Sequence, residues 1–221
     1  MTVRPRIALI HATMVAVDPI QSAMRDGWPE AESFNLLEDA LAVDRAKADA
    51  LAPDLSERIV DLARYARRIG SDGILFTCSA FGAAIEEAAR LLDIPVLKPN
   101  EAMFEAAIDR GPRIAMIYTF IPAAAGMEDE FREEAARRDP SATITSIHAP
   151  NALDALKAGD ADTHNRLVAG KATGLSGFDA LVLAHFSTAR AAAAVRAVTA
   201  LPVLTSPDTA VAKMKRLVSG R

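Results

Sequence analysis

The chain has 221 residues, 51% of them hydrophobic, and 25 Lys and Arg against 29 Asp and Glu give a net charge of −4. Both signs are interspersed without a basic stripe, which argues against a nucleic-acid partner, and no apolar run approaches the roughly 18–20 residues that span a membrane. A single cysteine excludes an internal disulfide and offers no metal-ligand cluster, so the composition points to a cytoplasmic globular protein with one large domain or two small ones.

The first apolar run, IALIHATMVAV after Arg4 and Arg6, imitates a secretion signal. His11 interrupts it and no small-residue cleavage pattern follows, so it reads as a strand at Ile7–Ile10. Asp18 and Pro19 in DPIQSAMRDG carry the cap-then-proline signature of a helix start. Between Leu36 and Pro53 the pattern is weak, and no element is assigned there. SERIVDLARYARRIG places Ile59, Leu62, Ala63, Ala66 and Ile69 on one helix face, with Ser56 as N-cap and Gly70 as stop. Short apolar runs at Ile74–Phe76, Val96–Leu97, Ile114–Ile117, Leu181–Leu183 and Val203–Leu204 read as strands of a parallel sheet covered on both faces. AAAGMEDEFREEAARRD is a helix with a charged, solvated outer face.

The sequence also repeats itself. PRIALIHAT from Pro5 matches PRIAMIYTF from Pro112, SDGILFTCSAF from Ser71 lies over FDALVLAHFST from Phe178, and IPVL from Ile94 lies over LPVL from Leu201, each pair 107 residues apart. A constant offset marks two homologous halves. The expected fold is therefore α/β, with two similar doubly wound parallel-sheet, Rossmann-like domains related by pseudo-twofold symmetry and an active site in the cleft between them. The expected domains are residues 1–98 plus 207–221, and residues 99–206. KPNEAM forms the crossover into the second domain and TSPDTAV the return.

Ligands of open parallel sheets bind beyond the carboxyl ends of the strands, which directs attention to four loops. These contain His11 and Thr13; Thr77, Cys78 and Ser79; Tyr118 and Thr119; and His185 and Ser187. The repeat makes Cys78 the counterpart of His185, so the two should confront one another across the cleft, an arrangement suited to proton transfer on two faces of one carbon. At a helix N-terminus the Cys78 thiol should ionise more readily than a free one and serve as general base or nucleophile. The bland readings stay open: a packed thiol, a strand-end histidine with one backbone bond, and ordinary loop hydroxyls. His148 and His164 receive no role. No dinucleotide or triphosphate fingerprint is present, and no cofactor or metal is called for.

The duplicated layout, the FTCSAFG loop and the PVLKPNEA crossover resemble the aspartate/glutamate racemase superfamily over nearly the full chain. That superfamily contains amino-acid and hydantoin racemases, maleate cis–trans isomerases and arylmalonate decarboxylases, cofactor-independent enzymes acting on a carbon next to a carboxylate. The resemblance implies that Cys78 is the first catalytic cysteine of the family and that carboxylate-binding positions fall on Thr119, Asn100 and the loop around Thr13. Two-base racemases carry a second cysteine in a G-C-T loop, where this sequence has LAHFST; either His185 serves as second acid/base or the enzyme works from one face. Family decarboxylases also have one cysteine, but in the second half.

The expectation drawn from this is a PLP-independent racemase or isomerase of a small carboxylate, with Cys78 and His185 catalytic. His11, Thr13, Thr77, Ser79, Asn100, Tyr118, Thr119 and Ser187 would contact the substrate. The alternatives are a one-cysteine cis–trans isomerase or decarboxylase of a small dicarboxylate, and a non-catalytic carboxylate-binding protein. A homo-oligomer is compatible with each.

Overall fold

A computed structural model describes residues 4–47 and 50–220. Residues 1–3 and 221, the outer ends of the first expected domain, lie outside the described residues, as do residues 48–49 within the unassigned stretch. The chain divides into two units, Met1–Pro99 with Ala210–Arg221, and Asn100–Thr209.

The first unit runs β1 (Arg6–His11), α1 (Val17–Gly27), β2 (Glu32–Leu37), α2 (Ala40–Arg45), α3 (Pro53–Arg68), β3 (Gly73–Phe76), α4 (Gly82–Leu91) and β4 (Val96–Leu97). The second runs α5 (Glu101–Ile108), β5 (Arg113–Tyr118), α6 (Ala124–Arg138), β6 (Thr143–His148), α7 (Ala152–Lys157), α8 (Ala161–Ala172), β7 (Ala180–Leu183), α9 (Ala192–Arg196) and β8 (Val203–Thr205), followed by α10 (Ser206–Ser219). Each unit holds a four-stranded sheet, ordered β2-β1-β3-β4 and β6-β5-β7-β8, with every pair parallel. The expected duplicated α/β architecture is thus present.

Parallel neighbours need crossover helices, and those helices cover the sheet on both faces. In the first unit Ala8, Ile10 and Ile74 pack with Ile59 and Ala63 of α3 and Ile85 of α4. On the opposite face α10 approaches so closely that a Cβ added to Gly73 would lie 2.5 Å from Met214 Sδ. In the second unit one cluster joins Ala115, Ile117 and Leu183 to Val168 of α8 and Val195 of α9. The other joins Met116 and Val182 to Phe104 of α5 and Phe131 of α6, whose rings meet edge-on at 5.6 Å. Burying each of the larger side chains, the Ile, Leu, Val, Met and Phe, is worth about 1.5–3 kcal/mol.

Two helix starts differ from expectation. Ser56 is not the cap of α3: Pro53, at the first helical position, starts the helix three residues earlier, and Ser56 Oγ instead donates back to the Ala52 carbonyl at 3.4 Å. Asp18 lies inside the first turn of α1 rather than at its cap, because a 3-10 turn at Met14–Ala16 leads into the helix. The edge strand β2 shows no readable apolar run, and α2 lies wholly within the stretch from Leu36 to Pro53 where the sequence pattern assigns no element. The repeat also shifts between these landmarks: α6 has 15 residues where α1 has 11, and α8 has 12 where α3 has 16. One extra helical turn is gained and then lost, which restores the register at β7.

Both sheets are anchored at the amino ends of their strands. Asp72 Oδ2 accepts from the Arg6 backbone N–H at 2.8 Å, and Asp179 Oδ2 accepts from that of Arg113 at 2.9 Å. Among the described residues no helix is long and apolar enough to cross a membrane.

Candidate functional site

The carboxyl ends of β1 and β3 bring the first group together. The register pairs Ile10 with Phe76, so the next residues, His11 and Thr77, become neighbours. His11 is fully buried, with Nδ1 2.9 Å from Thr77 Oγ1 and Nε2 2.9 Å from Asn35 Oδ1. Burial lowers its pKa and the bond to Asn35 opposes this, so the ring is neutral.

Cys78 follows, half-buried and packed against the α3–α4 core. The expected lowering of its pKa is corrected. Burial pushes the thiol up, against weaker opposing effects of the Ala80 backbone N–H and of Arg45. The physical reason is local: a 3-10 turn, Ser79–Phe81, separates Cys78 from the start of α4 at Gly82, so the sulfur is not seated on the α-helix terminus. Arg45 is tied to the same turn, its Nε donating to the Ala80 carbonyl at 3.3 Å. Ser79 is half-buried beside the thiol, and Thr13 is half-buried in extended backbone after β1.

In the second unit Tyr118 and His148 are paired at the ends of β5 and β6, and their rings stack at 5.2 Å. Thr119 is buried with its hydroxyl 3.5 Å from that of Thr188, and Ser187 is buried in the same turn. His185 adopts the left-handed conformation, φ 71°, that residues other than glycine seldom occupy. Its Nε2 is buried without a hydrogen-bond partner among the described residues, and burial pushes its pKa down to about 4. Asn100 is buried, with Oδ1 accepting from Ser206 Oγ at 2.9 Å.

His11 and Asn100, expected on the substrate, are buried with their side chains bonded to protein groups. Asn35, Thr188 and Ser206 are polar members of these clusters that sequence reasoning did not single out, and His148, which it gave no role, is another. Asn35 lies on the unpredicted edge strand; the alternation of ESFNLL, read in parallel register with β1, is the signal that would have found it. Among the described residues no group of three or more His, Cys, Asp or Glu side chains is placed to hold a metal ion.

No family profile and no curated protein matches the sequence. Solved structures do match. A glycine-to-cysteine mutant of arylmalonate decarboxylase in a sulfate-associated form superposes with a TM-score of 0.72 at 17% identity, over 98% of this chain and 94% of that one. A glutamate racemase from Bacillus anthracis gives 0.71 at 11%, over 98% and 82%. The aspartate racemase of Picrophilus torridus gives 0.69 at 14%, over 97% and 94%.

The chain has the aspartate/glutamate racemase fold.

The resemblance seen in the FTCSAFG loop is thus borne out in the architecture. The expectation of a PLP-independent amino-acid racemase, an isomerase of the Asp/Glu type, is corrected. Two-base racemisation needs a group able to give and take a proton on each face of the substrate carbon. This chain has one thiol, and the residue at its repeat position is a histidine that stays neutral until about pH 4. A neutral imidazole so hard to protonate is a poor replacement for a thiol that must cycle between acid and base. A one-sided proton donor suffices for a decarboxylase, the activity named for one solved structure of the same fold.

Proposed function

We propose that the protein is a cofactor-independent decarboxylase of a small malonate-type dicarboxylate, with Cys78 as proton donor. The observation that carries this reading is the half-buried thiol at the end of β3, held in its protonated form by burial. One carboxylate leaves as CO2, and the electron pair of the broken C–C bond passes into the enediolate of the carboxylate that remains. The S–H of Cys78 then protonates the α-carbon from one face. The thiolate so formed is stabilised by the Ala80 N–H and by Arg45 until it regains a proton from water. Addition of the thiolate to a double bond, the route of a cis–trans isomerase, requires the ionised form in the resting enzyme, which burial disfavours.

Ser79 is assigned to the substrate carboxylate. The assignments of Thr13, Tyr118, Thr119 and Ser187 to substrate contact are retained as proposals, tested by single alanine variants, and His185, expected as the second acid/base, is given no proton-transfer role in this reading. A small carboxylate ligand, a homo-oligomeric assembly and a cytoplasmic location, where a free thiol persists, complete the reading.

The test is a panel of substituted malonates, maleate and amino acids incubated with enzyme in D2O and followed by proton NMR. Decarboxylation giving one enantiomer with a single deuterium at the α-carbon is expected. Fumarate from maleate, without CO2 release from any malonate, would replace decarboxylation by isomerisation.

A further inference from the structure

We infer that His11 is a positioning residue for the Cys78 loop, acting through a hydrogen-bond chain of fixed polarity that runs from Asn35 through His11 to Thr77. The polarity follows from the contacts at Asn35 and His11. Gln21 Nε2 donates to Asn35 Oδ1 at 3.1 Å, and Gln21 Oε1 accepts from Ser33 Oγ at 3.4 Å. The same Asn35 oxygen lies 2.9 Å from His11 Nε2, which must therefore carry the ring proton. In a neutral ring Nδ1 is then a lone pair, and its 2.9 Å contact with Thr77 Oγ1 requires the threonine hydroxyl to donate. The other acceptor within reach of that hydroxyl, the Ile10 carbonyl, is farther at 3.4 Å. The Thr77 backbone N–H is also committed, to the same carbonyl at 3.0 Å.

Two consequences follow. Thr77 has no proton left for a substrate carboxylate, so its role changes from substrate contact to anchoring the residue before the thiol. The chain also belongs only to the half that holds the thiol: the repeat places Tyr118 and Ala184 where the first unit has His11 and Thr77. Alanine has no hydroxyl to donate, and Tyr118 stacks on His148 instead. The inference goes beyond the proposed decarboxylation and is read out without a substrate, so failure to find decarboxylation leaves it standing.

The direct measurement is nitrogen-15 NMR of the histidine rings in the full chain, with His11 assigned by comparison with His11→Gln. His11 should show the Nε2–H tautomer at pH 7; the Nδ1–H tautomer or an imidazolium would overturn the inference. The second measurement is the rate at which iodoacetamide alkylates Cys78, unambiguous because the chain has one cysteine. Thr77→Val should raise this rate about tenfold by leaving Nδ1 unpaired and releasing the loop, and Thr77→Ser should restore it to within about twofold of the parent. Equal rates in a folded Thr77→Val variant would refute the positioning role; if that variant does not fold, the tautomer in the parent protein decides.

Discussion

The two units share a sheet order and a strand register, yet they finish the carboxyl ends of their central strands in opposite ways. The first closes β1 and β3 with a buried polar chain, His11 to Thr77, and leaves a half-buried thiol in relaxed extended backbone, φ −122°. The second closes β5 and β7 with an aromatic stack and a histidine in left-handed backbone, its Nε2 unpartnered among the described residues. The same frame occurs twice, and the two copies differ at the residues that end and follow the central strands, buried His11 and Thr77 in one, half-buried Tyr118 and buried Ala184 in the other. On the proposed reading, the first unit carries the proton donor, whereas the histidine at the equivalent position of the second resists protonation.

The comparison can be broken most severely at Cys78. Cys78→Ala should lower the decarboxylation rate by about 10³-fold or more while costing only about 1 kcal/mol of stability. Turnover measured beside circular dichroism and thermal melting separates the outcomes, and activity retained in a folded variant would make the halves functionally equal.

His185 gives the next largest effect, on stability. Its folded pKa, about 4, lies below the ordinary 6.5, so the unfolded chain binds the proton first. The contribution is fully present above pH 6.5 and is lost as the pH falls toward 4, by on the order of 3 kcal/mol. Urea unfolding between pH 7 and 4 should show a shallower loss in His185→Gln than in the parent. Parallel curves would mean that the ring is not desolvated.

Gly73 offers a smaller, purely steric contrast, since the repeat puts Ala180 at its position in the second unit. Gly73→Ala should cost about 1 kcal/mol through the approach of Met214, and Met214→Ala in the same chain should make the added methyl nearly neutral. Simple additivity in that double-mutant cycle would show that the sulfur is not the obstacle.

The smallest effect is expected at the other end of the sheets. Arg113 beside Asp179, together with its own backbone N–H, holds that carboxyl below the usual range, a stabilisation present at neutral pH and lost on acidification through the folded pKa. Asp179→Asn should lower the melting temperature at pH 7 less than Gly73→Ala does, with the difference vanishing in acid.

What could be read in advance follows the physics of burial. The central strands, such as Ile7–Ile10 and Leu181–Leu183, are covered on both faces and announce themselves as apolar runs. The edge strands Glu32–Leu37 and Thr143–His148 are half exposed and mix polar with apolar residues, so neither run stands out. That omission hid Asn35, and with it the reason His11 is buried. Cys78 was legible as a position because it follows a buried strand. Its acidity was not, because the length of the 3-10 turn before α4 and the apolar packing around the sulfur are tertiary facts. The left-handed backbone at His185 likewise has no signature in the sequence, where a glycine would have been the cue.

The split of the first unit between Met1–Pro99 and Ala210–Arg221 sets an order of assembly. The face of β3 at Gly73 lacks its cover until Met214 has been synthesised, whereas the second unit is a single uninterrupted segment. Closing the first unit joins segments of high sequence separation, a slow step in folding. On the ribosome the later-made unit is therefore the first that can be completed, and the half carrying the thiol takes its final form only after almost the whole chain has been made.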